Sequence, residues 1–266
     1  MSLHNSVLKL FNSDGFSVTF VGIRSVAISS LIQYLVEASD MNETLYSIRQ
    51  RRSVRAFSDE DIPNDVLEEI LDCARWAPSD TNAQPWRWYV IKNRTLLEAI
   101  YLAVFDEMDH VSCEFSEKLE DKSSEYYASY RKAELVLRSF QNYAAVPIGN
   151  CTVLAIACAA PYTSKFTSEC FRYIFNVETL RDMGKLEAQK STMMSVQNLL
   201  LAAYSLGIGA VPMSGPIYFG ERRIRELINI PQEQDVSCVV AMGYPKSQHH
   251  PTIARRELSE SVTWIL

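Results

Sequence analysis

Apolar positions along the chain switch between two periods, and the switches mark the elements. Val66, Leu67, Ile70, Leu71 and Ala74 recur at three- and four-residue steps. This spacing predicts an amphipathic helix over 63–76, with Asn64 and Asp65 in its first turn and Pro78 as its stop. Residues 88–91, Trp-Tyr-Val-Ile, read as a buried strand, and 94–104 return to helical spacing. The unbroken apolar run at 152–159 predicts a further buried strand, followed by an irregular aromatic segment to Phe175. A long core helix is predicted over 185–206, closed by Gly207 just past its end. An extended 208–213, a helix at 221–228 and a last strand at 236–242 complete the pattern, which then runs into Gly243-Tyr244-Pro245. Between these, charges from Glu117 to Lys122 and the tyrosines Tyr126, Tyr127 and Tyr130 predict two helices within 106–142, one solvated and one aromatic-faced.

Residues 1–40 follow a different rhythm. Phe16, Val18 and Phe20 alternate with Ser17 and Thr19 as in a strand, and Ile28, Leu31, Ile32 and Leu35 then take helical spacing. Arg24 and Gln33 interrupt the 16–37 stretch, and no basic flank or small-residue cleavage site accompanies it. That argues against a membrane span or a signal segment and for an apolar arm that packs on the body or on a partner subunit. The expected organisation is therefore an N-terminal extension over 1–40 and one α+β domain over 41–266, opened by a short helix at 42–50.

Composition narrows the function classes. Hydrophobic residues at 47% of 266 positions are enough for one large core, and a net charge of -6 without a long basic run excludes a nucleic-acid footprint. Six cysteines with no Cys-x-x-Cys pair point to reduced thiols in a cytoplasmic protein. His249 and His250 are adjacent in a Pro-flanked loop with no accompanying ligand cluster, so no metal site is expected.

Chemistry-bearing residues concentrate in four segments. Pro78-Ser79-Asp80-Thr81-Asn82-Ala83-Gln84-Pro85-Trp86 is a polar, proline-bracketed loop rich in amides and hydroxyls. Arg51-Arg52-Ser53-Val54-Arg55 is a basic cluster with an embedded hydroxyl, and Pro212-Met213-Ser214-Gly215-Pro216 and Arg255-Arg256 lie far downstream. Singly, each has an ordinary reading: the arginines as an exposed patch, the loop as a turn around a structural Trp86, and 212–215 as a strand-end turn. In this order and at these separations the four segments resemble the flavin-dependent nitroreductase family, and the resemblance runs from about Met41 to the C-terminus.

That resemblance implies an α+β, nitroreductase-like fold with a central, mainly antiparallel sheet flanked by helices, built as an intertwined homodimer with FMN sites at the subunit interface. Flavin mononucleotide demands cations for its phosphate, and Arg51, Arg52, Ser53 and Arg255 suit that demand, because the guanidinium fork matches phosphate oxygens. Residue by residue, the family's Arg-x-Ser phosphate element maps onto Arg51 and Ser53, and its following basic residue at the pyrimidine edge maps onto Arg55. The loop that contacts the flavin of the other subunit maps onto Pro78, Ser79, Asn82 and Gln84. The segment beside the ring's N5 maps onto Pro212, Met213, Ser214 and Gly215, and the late basic residue maps onto Arg255. Asp80 departs from the small or hydroxylic residue commoner in the family, Ser214 from an acidic residue or glycine, Ile253 from a lysine that some members use, and Glu257 from a frequent proline.

The activity implied is transfer of two electrons from NADH or NADPH through bound FMN to a nitroaromatic, quinone or related flat acceptor. No protein acid or base is assigned, since the chemistry belongs to the flavin. Alternatives on the same scaffold are dehydrogenation of a biosynthetic intermediate, flavin degradation, or an FMN-binding sensor or interaction module. Gly207, Gly209 and Gly215 do not form a dinucleotide fingerprint, and Asn198 on the long helix is either a satisfied core amide or a neighbour of the cofactor.

Overall fold

Every side chain of Val153–Ala159 is buried, because this strand lies inside a sheet covered on both faces. The computed structural model describes residues 8–11, 17–20, 42–117, 135, 139, 140, 143–162, 164, 169–247 and 253–265. They divide between two units, Met1–Gln50 and Arg51–Leu266. In the first, β1 (Leu8–Phe11) pairs antiparallel with β2 (Ser17–Phe20), and α1 spans Glu43–Gln50. The helical spacing expected at 28–35, the tyrosines at 126–130 and the His249-His250 pair lie outside the described residues.

The second unit is built on four strands: β3 (Trp86–Ile91), β4 (Val153–Ala159), β5 (Gly209–Met213) and β6 (Asp235–Gly243). Their order is β3-β4-β6-β5, and every neighbouring pair is antiparallel. Alternation along β4 divides the core in two. Leu154, Ile156 and Cys158 face one layer with Val239 and Ala241, while Val153, Ala155 and Ala157 face the other with Val240 and Met242. The first layer is covered by α3 (Arg94–Glu117), α4 (Val146–Asn150) and α6 (Gly215–Ile228) through Leu97, Ile100, Val104, Ile148 and Ile224. The second is covered by α2 (Asn64–Arg75) and α5 (Val177–Ser205) through Leu67, Ile70, Ala74, Val196, Leu199 and Ala203.

Three helices are longer than their apolar spacing predicts. α3 continues past 104 because no Gly or Pro stands between 94 and 117, and Met108 extends the buried Leu97-Ile100-Val104 row by one more turn. α5 begins at Val177 rather than 185, since Asn176 Oδ1 accepts the Thr179 N–H at 2.8 Å and the helix carries Gly184 in its interior. α6 begins at Gly215 rather than 221, with the Ser214 carbonyl accepting from Ile217 N at 2.9 Å and Pro216 in the first turn, where a missing N–H costs nothing. Among the described residues no helix is long and apolar enough to cross a membrane.

Candidate functional site

The arginine segment is locked onto the free edge of β5 by two glycines. Gly209 and Gly243 stand opposite each other in the β5-β6 ladder. A Cβ on Gly209 would fall 2.8 Å from Val54 Cγ1, and one on Gly243 would fall 2.8 Å from Phe57 Cβ. Val54 and Phe57 fill that space and are buried. The backbone adds a parallel bridge between Ser53 and Ala210, with Val54 N donating to Ala210 O at 3.1 Å, and Ser58 N donating to Tyr244 O at 2.8 Å. In an extended segment with Val54 turned inward, Arg51, Ser53 and Arg55 share the opposite face.

Around Arg51 positive charge is crowded. Arg51 Nη1 is buried with no hydrogen-bond partner. Burial, then Arg255, then Arg52 hold the Arg51 guanidinium below the usual arginine range, so three guanidiniums converge on one place. Arg52 Nη1 donates to the Arg51 carbonyl at 3.0 Å, and Arg55 donates to the Ser53 carbonyl at 3.4 Å while lying 4.9 Å from the centroid of the Tyr143 ring. A buried, unpaired donor costs about 1–3 kcal/mol, more when charged, and like charges add to that. A multivalent oxyanion offsets both costs, and guanidinium forks fit its geometry.

A single parallel bridge joins Ser53 to Ala210 of β5, the strand that goes on to Pro212 and Met213 and then to Ser214 and Gly215, while Val54 and Phe57 continue along its Gly209 end. There β5 ends and α6 starts, and Gly215 packs so closely on Ala144 that a Cβ at 215 would collide with the Ala144 Cβ. The structure therefore brings Arg51, Arg52, Ser53, Arg55, Arg255 and 212–215 to one edge of the sheet.

The loop that carries Pro78, Ser79, Asn82 and Gln84 is placed elsewhere. It leads into β3, the opposite edge strand, four inter-strand steps or about 19 Å from the arginine segment. Thr81, Asn82 and Gln84 take positive φ of 47°, 56° and 47°. Asparagine tolerates that region, but the β-branched threonine is strained in it, and such strain gathers at functional sites. The loop is held by Ser79 Oγ accepting from Gln84 N at 3.0 Å and by Gln84 Nε2 donating to Asn82 Oδ1 at 3.2 Å. It is tied to α5 by Asp80 N donating to Ser191 Oγ at 3.3 Å. Trp86 is buried, as a structural role requires. Asn198 Nδ2 donates to the Cys73 carbonyl at 3.3 Å, where it caps the end of α2. One partner of the loop was not legible in sequence: the Tyr162 phenol donates to the Asp80 carboxylate. Eighty-two residues separate the two, and no local pattern marks the pair.

The nitroreductase family model matches residues 48–244. The chain belongs to the nitroreductase family. The match encloses the arginine segment, the strained loop and 212–215, and Arg255 lies just beyond it. A Thermus thermophilus protein named NADH dehydrogenase is 29% identical over 219 residues, which cover 81% of this chain and 92% of that one. A BluB-like flavoprotein from Clostridium difficile 630 has a crystal structure similar at a TM-score of 0.67 and 21% identity, over 85% of this chain and 100% of its own. A nitroreductase with bound FMN from Bacteroides fragilis NCTC 9343 is similar at a TM-score of 0.57 and 20% identity, over 85% and 100% of the two chains. The family is one of oxidoreductases, and the nitroreductase-like α+β fold with a central antiparallel sheet flanked by helices is the one observed.

Proposed function

We propose that this protein is an FMN-dependent oxidoreductase that takes two electrons from NADH or NADPH and delivers them to a flat acceptor such as a nitroaromatic or a quinone. The observation that carries the reading is Arg51 Nη1, a buried cationic donor without a partner, crowded by Arg255 and Arg52. That is a site which a dianionic phosphate completes. In this reading Arg51, Arg52, Ser53 and Arg255 hold the phosphate, Arg55 lies toward the pyrimidine edge of the ring, and the backbone of Pro212, Met213, Ser214 and Gly215 flanks it. Bound FMN supplies the hydride chemistry itself, accepting from the nicotinamide and giving to the acceptor. The chain's own work is to fix the phosphate, orient the ring and shape the space beside it.

The active unit in this reading is a homodimer in which Pro78, Ser79, Asn82 and Gln84 reach the flavin held by the other subunit. Two observations support it. The loop and the arginine segment occupy opposite edges of one sheet. In addition, Leu186, Met193 and Met194 on one side of α5 are 54%, 43% and 46% exposed, an apolar face that a second copy would cover.

The test is an absorbance spectrum of protein loaded with FMN and desalted, followed by anaerobic NADH and then NADPH. Retained flavin that bleaches with either nucleotide is the expected result. Absence of retained flavin would refute the reading at its root. Retained flavin that stays oxidised would remove the nicotinamide step and leave a binding module.

A further inference from the structure

We infer that Asp80, fixed in place by Tyr162, is a charge filter that favours neutral and cationic acceptors over anionic ones. The inference rests on the assignment of the 78–84 loop to the flavin site.

The filter is built on a strip of small residues. Gly184, Ala188, Ser191 and Ser195 follow one another along one face of α5 at helical steps. A Cβ at 184 would fall 2.6 Å from the Tyr162 carbonyl oxygen, so glycine is what lets the chain leaving β4 rest directly on the helix. Two turns further on, Ser191 Oγ accepts the Asp80 N–H, and Ser195 Oγ, which donates to the Ala74 carbonyl at 2.8 Å, receives Trp88 Nε1 at 3.3 Å. Tyr162 and Asp80 are thus seated on the same helix, and the phenol closes the gap by donating to the carboxylate.

The loop does not need this charge to keep its shape. Its turn is closed by Ser79, Asn82 and Gln84, and by Ala83 N donating to the Asp80 carbonyl at 2.9 Å. The phenol is a neutral donor, so the Tyr162-Asp80 pair keeps a net negative charge. Arg87, at the start of β3, turns its guanidinium to the carbonyls of Gln84 and Trp86 at 3.4 and 2.8 Å. A fixed carboxylate beside the acceptor space repels carboxylated or sulfonated ring systems and tolerates uncharged ones.

The experiment uses FMN-loaded protein and two acceptors of similar size, nitrobenzene and 4-nitrobenzoate. The readout is the change in the ratio of their kcat/KM values between variants, which removes their different intrinsic reactivities. Asp80→Asn should raise the relative kcat/KM for 4-nitrobenzoate by up to about tenfold, the direction that loss of a like-charge repulsion dictates. Asp80→Glu should keep the wild-type ratio, and higher salt should narrow the wild-type preference in the same direction as Asp80→Asn. An unchanged ratio in Asp80→Asn, or parallel loss for both acceptors, overturns the filter. Asp80→Ser serves the same comparison if the asparagine variant does not fold. Failure of the underlying reading is distinguishable, because wild-type protein would then retain no FMN or show no reduction by either nucleotide.

Discussion

Replacing Arg51 with methionine should move stability and cofactor affinity in opposite directions. The thioether keeps most of the apolar stem volume and removes the buried, unpaired Nη1 together with its repulsion from Arg255 and Arg52. Losing a charge-assisted hydrogen bond to phosphate costs about 1.5–3 kcal/mol of binding. At about 1.4 kcal/mol per decade, FMN should bind roughly ten to a hundred times more weakly. Without FMN, removal of an orphaned donor worth about 1–3 kcal/mol should leave the variant at least as stable as wild type. In a chain of this size each kcal/mol is about 2–4 °C in Tm. The assay pairs an FMN titration of desalted protein with melting curves taken with and without FMN. The apo melting temperature should hold or rise, while the increment given by FMN shrinks with the weaker affinity. Equal FMN affinity in variant and wild type would show that Arg51 does not hold the phosphate. A fall in apo stability would show that Arg51 is part of the folded framework rather than reserved for a ligand.

Other expectations follow from single contacts. Gly215→Ala places a Cβ against the Ala144 Cβ, two atoms fixed to backbone, and should destabilise the apo protein by about 1–3 kcal/mol; an unchanged Tm counts against that close approach. Burial pushes the Cys151 and Cys158 thiols up to about 12 and Cys238 up to about 11 from an ordinary 9.0. Their neutral forms therefore contribute stability that is complete below pH 9 and is lost as pH climbs toward 11–12, so urea midpoints should fall between pH 8 and 10.5 and fall less in Cys158→Ala than in wild type. Folded protein should react with a thiol reagent first at the exposed Cys113 and Cys170, with Cys151, Cys158 and Cys238 silent until unfolding. Mixing an Arg51→Met, Ser53→Ala chain with an Asn82→Ala, Gln84→Ala chain should restore about a quarter of the wild-type FMN sites, since half of randomly formed dimers are mixed and each mixed dimer has one intact site. No restoration in verified mixed dimers means that the site is not shared.

What could be read in sequence divides along physical lines. The helical period revealed α2, and apolar runs revealed β4 and β6, because burial alone dictates them: β4 is apolar throughout, and α2 has one apolar stripe. Helix ends were less legible, since they depend on particular bonds rather than on periodicity. Asn176 caps an α5 that starts eight residues before the expected position, and Ser214 with Pro216 starts α6 inside what reads as a turn. The arginine motif was legible as residue types, but its crowding was not, because Arg255 reaches Arg51 only through the fold. Asn198 had two equal readings until its bond to the Cys73 carbonyl placed it at the end of α2. The left-handed Thr81 had no signal at all, as threonine is a poor choice for that backbone and is held there only by its surroundings.

Among the described residues of the second unit, Arg51 and the Thr81–Gln84 turn both break local rules, and they occupy opposite edges of the sheet. The arginine segment is anchored by Val54 and Phe57, buried against Gly209 and Gly243, rather than by the Arg51 side chain's own hydrogen bonds at Nη1. Local rules are broken where something outside the fold repays the break. In the proposed function an anion does so at Arg51. At the turn, strain fixes the Asn82 and Gln84 amides and the Asp80 carboxylate in directions that a relaxed loop would not hold, and an edge loop so fixed is suited to meet a ligand carried by another copy of the chain. In the proposed dimer the separation of the two places follows from the assembly: one edge would grip the phosphate, and the other would present amides and a single charge to the neighbouring site.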